Sequence, residues 1–194
     1  MHTKGKNRTM WTHSQRLLLP IALLALCTLA AAQQHSGHGA YAQGMRHHQP
    51  GPYAGLHERD IKALSEQQIA DLRAGRGMSL ALPAELNGYP GPMHVLELAD
   101  RLRLTPEQRA RTKALFDEMQ QEARARGEAV IVAERELDRL FRERRIDREG
   151  LASATHQAAM AMGRLRETHL RYHLEMMEVL TPEQIAQYLQ LRGY

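Results

Sequence analysis

The sequence predicts an all-α protein: a long antiparallel helical hairpin with short flanking helices. Three observations carry that expectation. Leu, Ala, Met, Glu, Arg and Gln dominate the chain and are strong helix formers, while 2 Phe, 1 Trp and 6 Tyr in 194 residues leave little aromatic material for a core. Apolar residues recur at spacings of 3, 4 and 7 along two long stretches with almost no breaker. The pentamer LTPEQ occurs at 104–108 and 180–184, with a looser copy, LSEQQ, at 64–68, and each copy reads as a helix start.

Taken in order, residues 1–32 read as a secretory signal. Lys4, Lys6, Arg8 and Arg16 precede the apolar run LLLPIALLALCTLAAA, and Ala30-Ala31-Ala32 fits a cleavage site before Gln33. The run is interrupted by Pro20 and is short for a membrane span, and Leu26 ahead of Cys27 argues against a lipidated cysteine. The expected destination is the periplasm. Removing the four basic residues of this segment from 26 Lys+Arg leaves 22 against 22 Asp+Glu. A neutral mature chain has no basic excess for nucleic acid. Cys27 is the only cysteine, so the mature chain makes no disulfide and no thiolate metal site.

Residues 33–52, rich in Gly, Gln and His without an apolar period, read as a disordered linker. Residues 53–91 form a short-helix segment: SEQQIADLRA is a helix stopped by Gly75 and Gly77, SLALPAELNG gives a further turn or two, and NGYPGP is a break. The hairpin domain is 92–194. Its first long helix, from Thr105 to Arg145, carries the stripe Thr112, Leu115, Met119, Val130, Ala133, Leu137, Leu140 and Phe141. Unbroken it would run about 60 Å. The stripe lapses at Glu122 and Arg126 beside Gly127, which predicts a bend there, since mid-helix Gly costs about 1 kcal/mol against Ala. Asp147 caps the second long helix, whose stripe runs from Leu151 to Val179, and a last helix starts at Pro182. Leu170 and Leu174 fall off that stripe. One hairpin buries one face only, so a homodimer or an exposed apolar groove is expected.

The pentamers have a simple physical reading. Thr105 and Thr181 serve as N-caps, Pro106 and Pro182 sit at the first helical position, and Gln108 and Gln184 can reach back to close capping boxes. Ser65 and Gln68 repeat this without the proline. Leu180 with Ile185, and Leu64 with Ile69, stand at hydrophobic-staple positions. No catalytic chemistry follows from any of it.

Two L-T-x-x-Q motifs about 75 residues apart, on a helical chain behind an export signal, resemble the Spy/CpxP family of bacterial periplasmic proteins. The matching residues are Leu104, Thr105, Gln108, Leu180, Thr181 and Gln184, and the likeness covers roughly 92–192. The resemblance implies a hairpin that dimerises into a curved cradle. It further implies an ATP-independent chaperone that binds unfolded periplasmic clients in envelope stress, or a regulator of a membrane sensor kinase. A client-holding face would draw on Leu115, Met119, Val130, Leu137, Phe141, Met162 and Leu165. Residues 53–90 match nothing in the family beyond LSEQQ.

The same resemblance extends to metal-responsive relatives of the ZraP and CnrX type, which directs attention to the nine mature histidines. His169 and His173 are i and i+4 on one helical face, and Met177 lies one turn on. Two imidazoles one turn apart can share a Cu, Ni, Co or Zn ion, and a thioether favours copper. His94 or His156 is available as a third ligand. The bland alternative is a core histidine at 169 and a boundary one at 173, with His35, His38, His47 and His48 in a solvated linker and the methionines as packing. No metal or other cofactor is required by the fold. The chain carries no G-x-S-x-G, P-loop or H-E-x-x-H motif, so a binding protein is expected, not an enzyme. The charge-dense run 138–149 reads as the solvated tip of the hairpin.

Overall fold

The structure is a computed structural model that describes residues 51–194. The expected signal peptide (1–32) and nearly all of the linker (33–52), with Cys27, His35, His38, His47 and His48, lie outside the described residues. Among the described residues there are six α-helices, one short 3-10 turn at Leu56–Glu58 and no strand. The helices are α1 (Glu66–Ala74), α2 (Leu82–Glu85), α3 (Pro92–Glu97), α4 (Pro106–Arg142), α5 (Arg148–Val179) and α6 (Pro182–Arg192). None of them is long and apolar enough to cross a membrane. The expected fold class holds: α4 and α5 pack along one another as a hairpin with short helices around it.

The 37 residues of α4 and 32 of α5 make rods of about 55 and 48 Å. Between them the chain reverses through Arg144, at φ 54°. Asp147 then accepts from the Gly150 amide at 2.8 Å to cap α5. All three expected capping boxes form. In each, the cap hydroxyl accepts from the N3 amide and the N3 glutamine oxygen accepts from the cap amide, at Ser65/Gln68, Thr105/Gln108 and Thr181/Gln184.

The two glutamines of the LTPEQ copies also meet. Gln108 Nε2 donates to Gln184 Oε1 at 2.9 Å and to the Val179 carbonyl at 2.8 Å. Gln184 Nε2 donates back to Gln108 Oε1 at 3.0 Å and to the Leu102 carbonyl at 3.2 Å. Each glutamine therefore caps its own helix and ties it to the other, and spare carbonyls at the ends of neighbouring segments gain donors. A core cluster surrounds this clasp, including Val95, Leu102, Leu104, Leu115, Met176 and Tyr188. A second cluster lies under α1, where Ile61, Leu64 and Leu72 meet Ala123, Val130, Ile131 and Leu165.

Helix α4 is continuous through Gly127. Gly127 is buried because α1 crosses there: a Cβ on it would lie 2.2 Å from the Leu72 carbonyl oxygen. The glycine admits a neighbouring backbone. The expected client-holding face is largely core. Leu115, Met119, Val130 and Leu165 are buried, Leu137 and Met162 are half-buried, and Phe141 alone is exposed, at 55%. Leu115 and Met119 are covered by residues 95–104, α5 and Tyr188 of α6, and Val130 and Leu165 by Ile61, Leu64 and Leu72. The distal half of the hairpin is less covered: Val132, Leu151 and Met160 are exposed there with Phe141. Leu174 is exposed and Leu170 half-buried, as expected for residues off the main stripe.

Candidate metal centre

The inward stripe of α5 puts Thr168, His169, Tyr172, His173 and Met176 on one buried face. Both histidines are consequently sealed from solvent, at 3% and 6% exposure. They do not face hydrocarbon. The segment from Gly75 to His94 lies over them, and between it and α4 and α5 a cleft of about 530 Å³ opens. His94, His169 and His173 line this cleft together, as do Met78, Met93, Met119 and Glu85.

Each imidazole is held differently. His173 Nδ1 donates to the Tyr89 carbonyl oxygen at 2.7 Å. A carbonyl only accepts, so Nδ1 carries the proton and the lone pair stays on Nε2. That is the second-shell arrangement that orients a ligating histidine. His173 Nε2 has room because residue 91 is glycine. A Cβ there would stand 2.9 Å from Nε2 and 2.8 Å from Cε1. His169 Nε2 is buried and has no hydrogen-bond partner, and a Cβ on Gly77 would stand 3.9 Å from its Nδ1. An unpartnered buried polar atom is uncommon and calls for a reason. His94 Nδ1 lies 3.3 Å from Glu85 Oε1.

Burial depresses the pKa of both α5 histidines. For His169 the nearby charge of His173 adds to burial. For His173 burial prevails over the opposing pull of the Tyr89 carbonyl and Glu85, and His94 lowers it further. Both rings are therefore neutral at pH 7, the protonation state a metal requires.

Glu85, the last residue of α2, is 4% exposed. Its Oε1 accepts from the Tyr188 hydroxyl and from the Tyr194 hydroxyl at 3.4 Å, and Arg192 Nε stands 3.4 Å away. Its Oε2 has no hydrogen-bond partner and faces His173 Nδ1 at 3.7 Å. Burial raises its pKa, but hydrogen bonds from His94 and Tyr188 and the charges of His94 and His173 bring it below the usual carboxylate value. Burial and the Glu85 carboxylate push the Tyr188 phenol up. The carboxylate is thus ionised and already committed to several partners on α6 and the C-terminus.

The loop that forms one wall is strained. Met78 and Ser79 sit at φ 44° and 64°, a left-handed conformation that costs a non-glycine residue roughly 1–2 kcal/mol. Such backbone persists where packing over-determines it and collects at functional sites.

Of the metal residues expected from sequence, His169 and His173 come together, and His94 joins them as the third imidazole. Met177 does not: it is exposed and does not line the cleft. His156 lies in another groove, with Met160 and Arg164. Sequence reasoning missed Glu85, Met78 and Gly91, and took Met93 and Met119 for packing or client contacts. The one available signal was the short interval between Glu85 and His94 around NGYPGP, a break that can fold both ends of a segment to one place. Among the described residues no group of three His, Cys, Asp or Glu side chains is placed to hold a metal by itself. An ion here must draw on other donors, and the cleft supplies thioethers.

A family model described as heavy-metal resistance matches residues 79–187. The matched span contains both LTPEQ copies, Glu85 and all three cleft histidines. No curated protein and no solved structure matches the chain.

Proposed function

The chain belongs to the heavy-metal resistance family, and we propose that it binds a metal ion in the cleft between α5 and the Gly75–His94 segment, as a periplasmic sensor or buffer of that ion. The observation that carries this reading is His169 Nε2, buried and unpartnered beside a second neutral imidazole whose Nε2 is left free. His169 and His173 would hold the ion, with His94 within reach, and Tyr89 and Glu85 would orient the rings. The bound ion would supply a positive charge that links α5 to the segment covering it. Kinship with Spy/CpxP proteins through the two LTxxQ copies, export behind residues 1–32, and pairing into a homodimer belong to the same reading.

Calorimetric titration of the full chain with Cu, Ni, Co and Zn ions tests it. Micromolar or tighter binding of at least one ion, lost in His169→Ala/His173→Ala, is expected. Unchanged affinity in that double variant would remove the cleft from the account and point to the histidines of 33–52.

Client holding is the second reading. What favours it is the groove on the distal half of the hairpin, where Val132 and Met160 are exposed. What weighs against it is that four of the seven residues expected to form the face are core. Suppression of aggregation of a denatured client, with chelator present and no ATP, would support it; a null result leaves the metal reading alone. Regulation of a membrane sensor kinase remains a third role that a metal-responsive protein of this shape would suit.

A further inference from the structure

Resting on the reading that this cleft is the metal site, we propose that its ion is copper(I), held by thioether sulfur from Met78, Met93 and Met119 together with the imidazoles of His169 and His173. The described chain has seven methionines, and three of them, drawn from the strained loop, α3 and α4, line this one cleft. Packing does not explain all three. Met119 is core and half-buried Met78 packs against the cluster under α1, but Met93 is 45% exposed at the mouth. An exposed methionine beside a buried one and three imidazoles is a donor arrangement more than a packing one.

The remaining donors point the same way. Nickel, cobalt and zinc prefer nitrogen, carboxylate oxygen or thiolate. The only cysteine is Cys27, in the expected signal. The only carboxylate lining the cleft, Glu85, is shared among Tyr188, Tyr194, Arg192 and His94, with only Oε2 unpartnered. The His, Asp and Glu side chains do not form a three-ligand set. A monovalent ion with a preference for soft neutral donors fits two imidazoles and several thioethers. A divalent ion would seek the Glu85 carboxylate, whose Oε1 is engaged by Arg192 and the two phenols and whose free Oε2 faces the Nδ1 edge of His173 and not its free Nε2. The left-handed backbone at Met78 has a role in this arrangement, since it fixes one sulfur-bearing side chain in the cleft wall.

The test is anaerobic titration of the full chain with copper(I) against bathocuproine disulfonate, a chromophoric copper(I) chelator, with zinc, nickel and cobalt titrated in parallel by calorimetry. Every protein carries Cys27→Ser, so that thiolate is not the ligand. The expected result is one copper(I) per chain retained against chelator, with sulfur scattering at the copper X-ray absorption edge. Met78→Leu/Met93→Leu should weaken copper(I) by at least the order of 10–100-fold typical of losing an outer-shell partner, and leave any zinc affinity unchanged. Both positions are at least partly exposed, so this variant should retain the fold; adding Met119→Leu should weaken copper(I) further. Equal copper(I) affinity in wild type and the methionine variants would overturn the proposal. So would copper(I) binding that survives His169→Ala/His173→Ala. Zinc, nickel or cobalt bound in the cleft without copper(I) would overturn the thioether assignment and keep the metal reading. Failure of every ion would end both.

Discussion

Replacing Gly127 by alanine sets two effects of opposite sign against each other. Gly127 is in the middle of a 37-residue helix, and alanine there would gain about 1 kcal/mol of helix propensity. Against this, the new methyl carbon would lie 2.2 Å from the Leu72 carbonyl oxygen, 2.8 Å from the Leu72 carbonyl carbon and 3.2 Å from its Cα. All three atoms are backbone, so no rotamer change relieves the overlap; α1 must lift as a body. Lifting uncovers Leu72, now 1% exposed, and full burial of a leucine side chain contributes about 1.5–3 kcal/mol. It also pulls Gly75 from its close seat against Gln120 and Arg124. Overpacking of this kind typically costs about 1–3 kcal/mol; less the roughly 1 kcal/mol of propensity, Gly127→Ala destabilises by up to about 2 kcal/mol net. For a domain of this size that is a fall in Tm of up to roughly 8 °C.

Thermal and urea unfolding followed by circular dichroism measures the stability. Amide exchange across 66–80 reports whether α1 is the part released. Because the loop after α1 carries Met78 into the cleft wall, the same variant should bind metal more weakly. An equal or higher Tm would refute the reasoning. It would mean that propensity outweighs the crossing, and that α1 is not seated on Gly127.

Other outcomes are equally specific. Gln108→Ala and Gln184→Ala should each destabilise by about 1–3 kcal/mol, because each leaves its partner and a chain-end carbonyl without a donor; a double-mutant unfolding cycle should show coupling of about 0.5–3 kcal/mol between them. Gly91→Ala, at an ordinary φ of −90°, adds no backbone strain but drives a methyl into the His173 ring, so metal affinity should fall about 10–100-fold with helical content unchanged by circular dichroism. Leu115→Ala should cost about 2–5 kcal/mol and Phe141→Ser no more than about 0.5 kcal/mol in urea unfolding, which separates core from the exposed distal face. Acid should destabilise the fold in two windows: His169 and His173 have depressed pKa values, so below about 6.5 the unfolded chain takes up protons that the folded one refuses. Glu85, also depressed, adds a loss below about 4.5. Unfolding free energy that stays flat from pH 7 to 5, or that is equally flat in His169→Ala/His173→Ala and wild type, would contradict this.

The helices were legible because their determinants are local. A hydroxyl cap, a proline at the first position and a glutamine at the third occupy four consecutive residues, and the hydrogen bonds they form span three. The stripe of α5 likewise located His169 and His173 on a buried face. What escaped was everything fixed by distance along the chain. The Gln108–Gln184 pair spans 76 residues, and nothing in either copy of LTPEQ specifies that the copies touch. What requires Gly127 escaped for the same reason, since the backbone it admits lies 55 residues away at Leu72. The cleft has the same origin: His173 meets Tyr89 across 84 residues and Tyr188 meets Glu85 across 103.

The segment 53–91, in which the resemblance placed only LSEQQ and which the family model enters at residue 79, is therefore what converts a helical hairpin into a candidate metal centre. On a bare hairpin, His169 and His173 would be an ordinary pair one turn apart on a wet face, free to protonate near pH 6.5 and free to rotate. Laid over them, the segment removes water and holds the rings neutral. It fixes the His173 tautomer through the Tyr89 carbonyl. It brings Met78 to the same cavity as Met93 and His94 of α3, and Gly91 keeps the His173 Nε2 clear of a side chain. It is anchored at both ends: by Leu72 in the crossing at Gly127, and by Glu85 on Tyr188 of α6. The LTPEQ clasp holds α6 against the start of α4. The motif that suggested a family and the cleft that suggests an ion thus share one mechanical path, through α6, Tyr188 and Glu85.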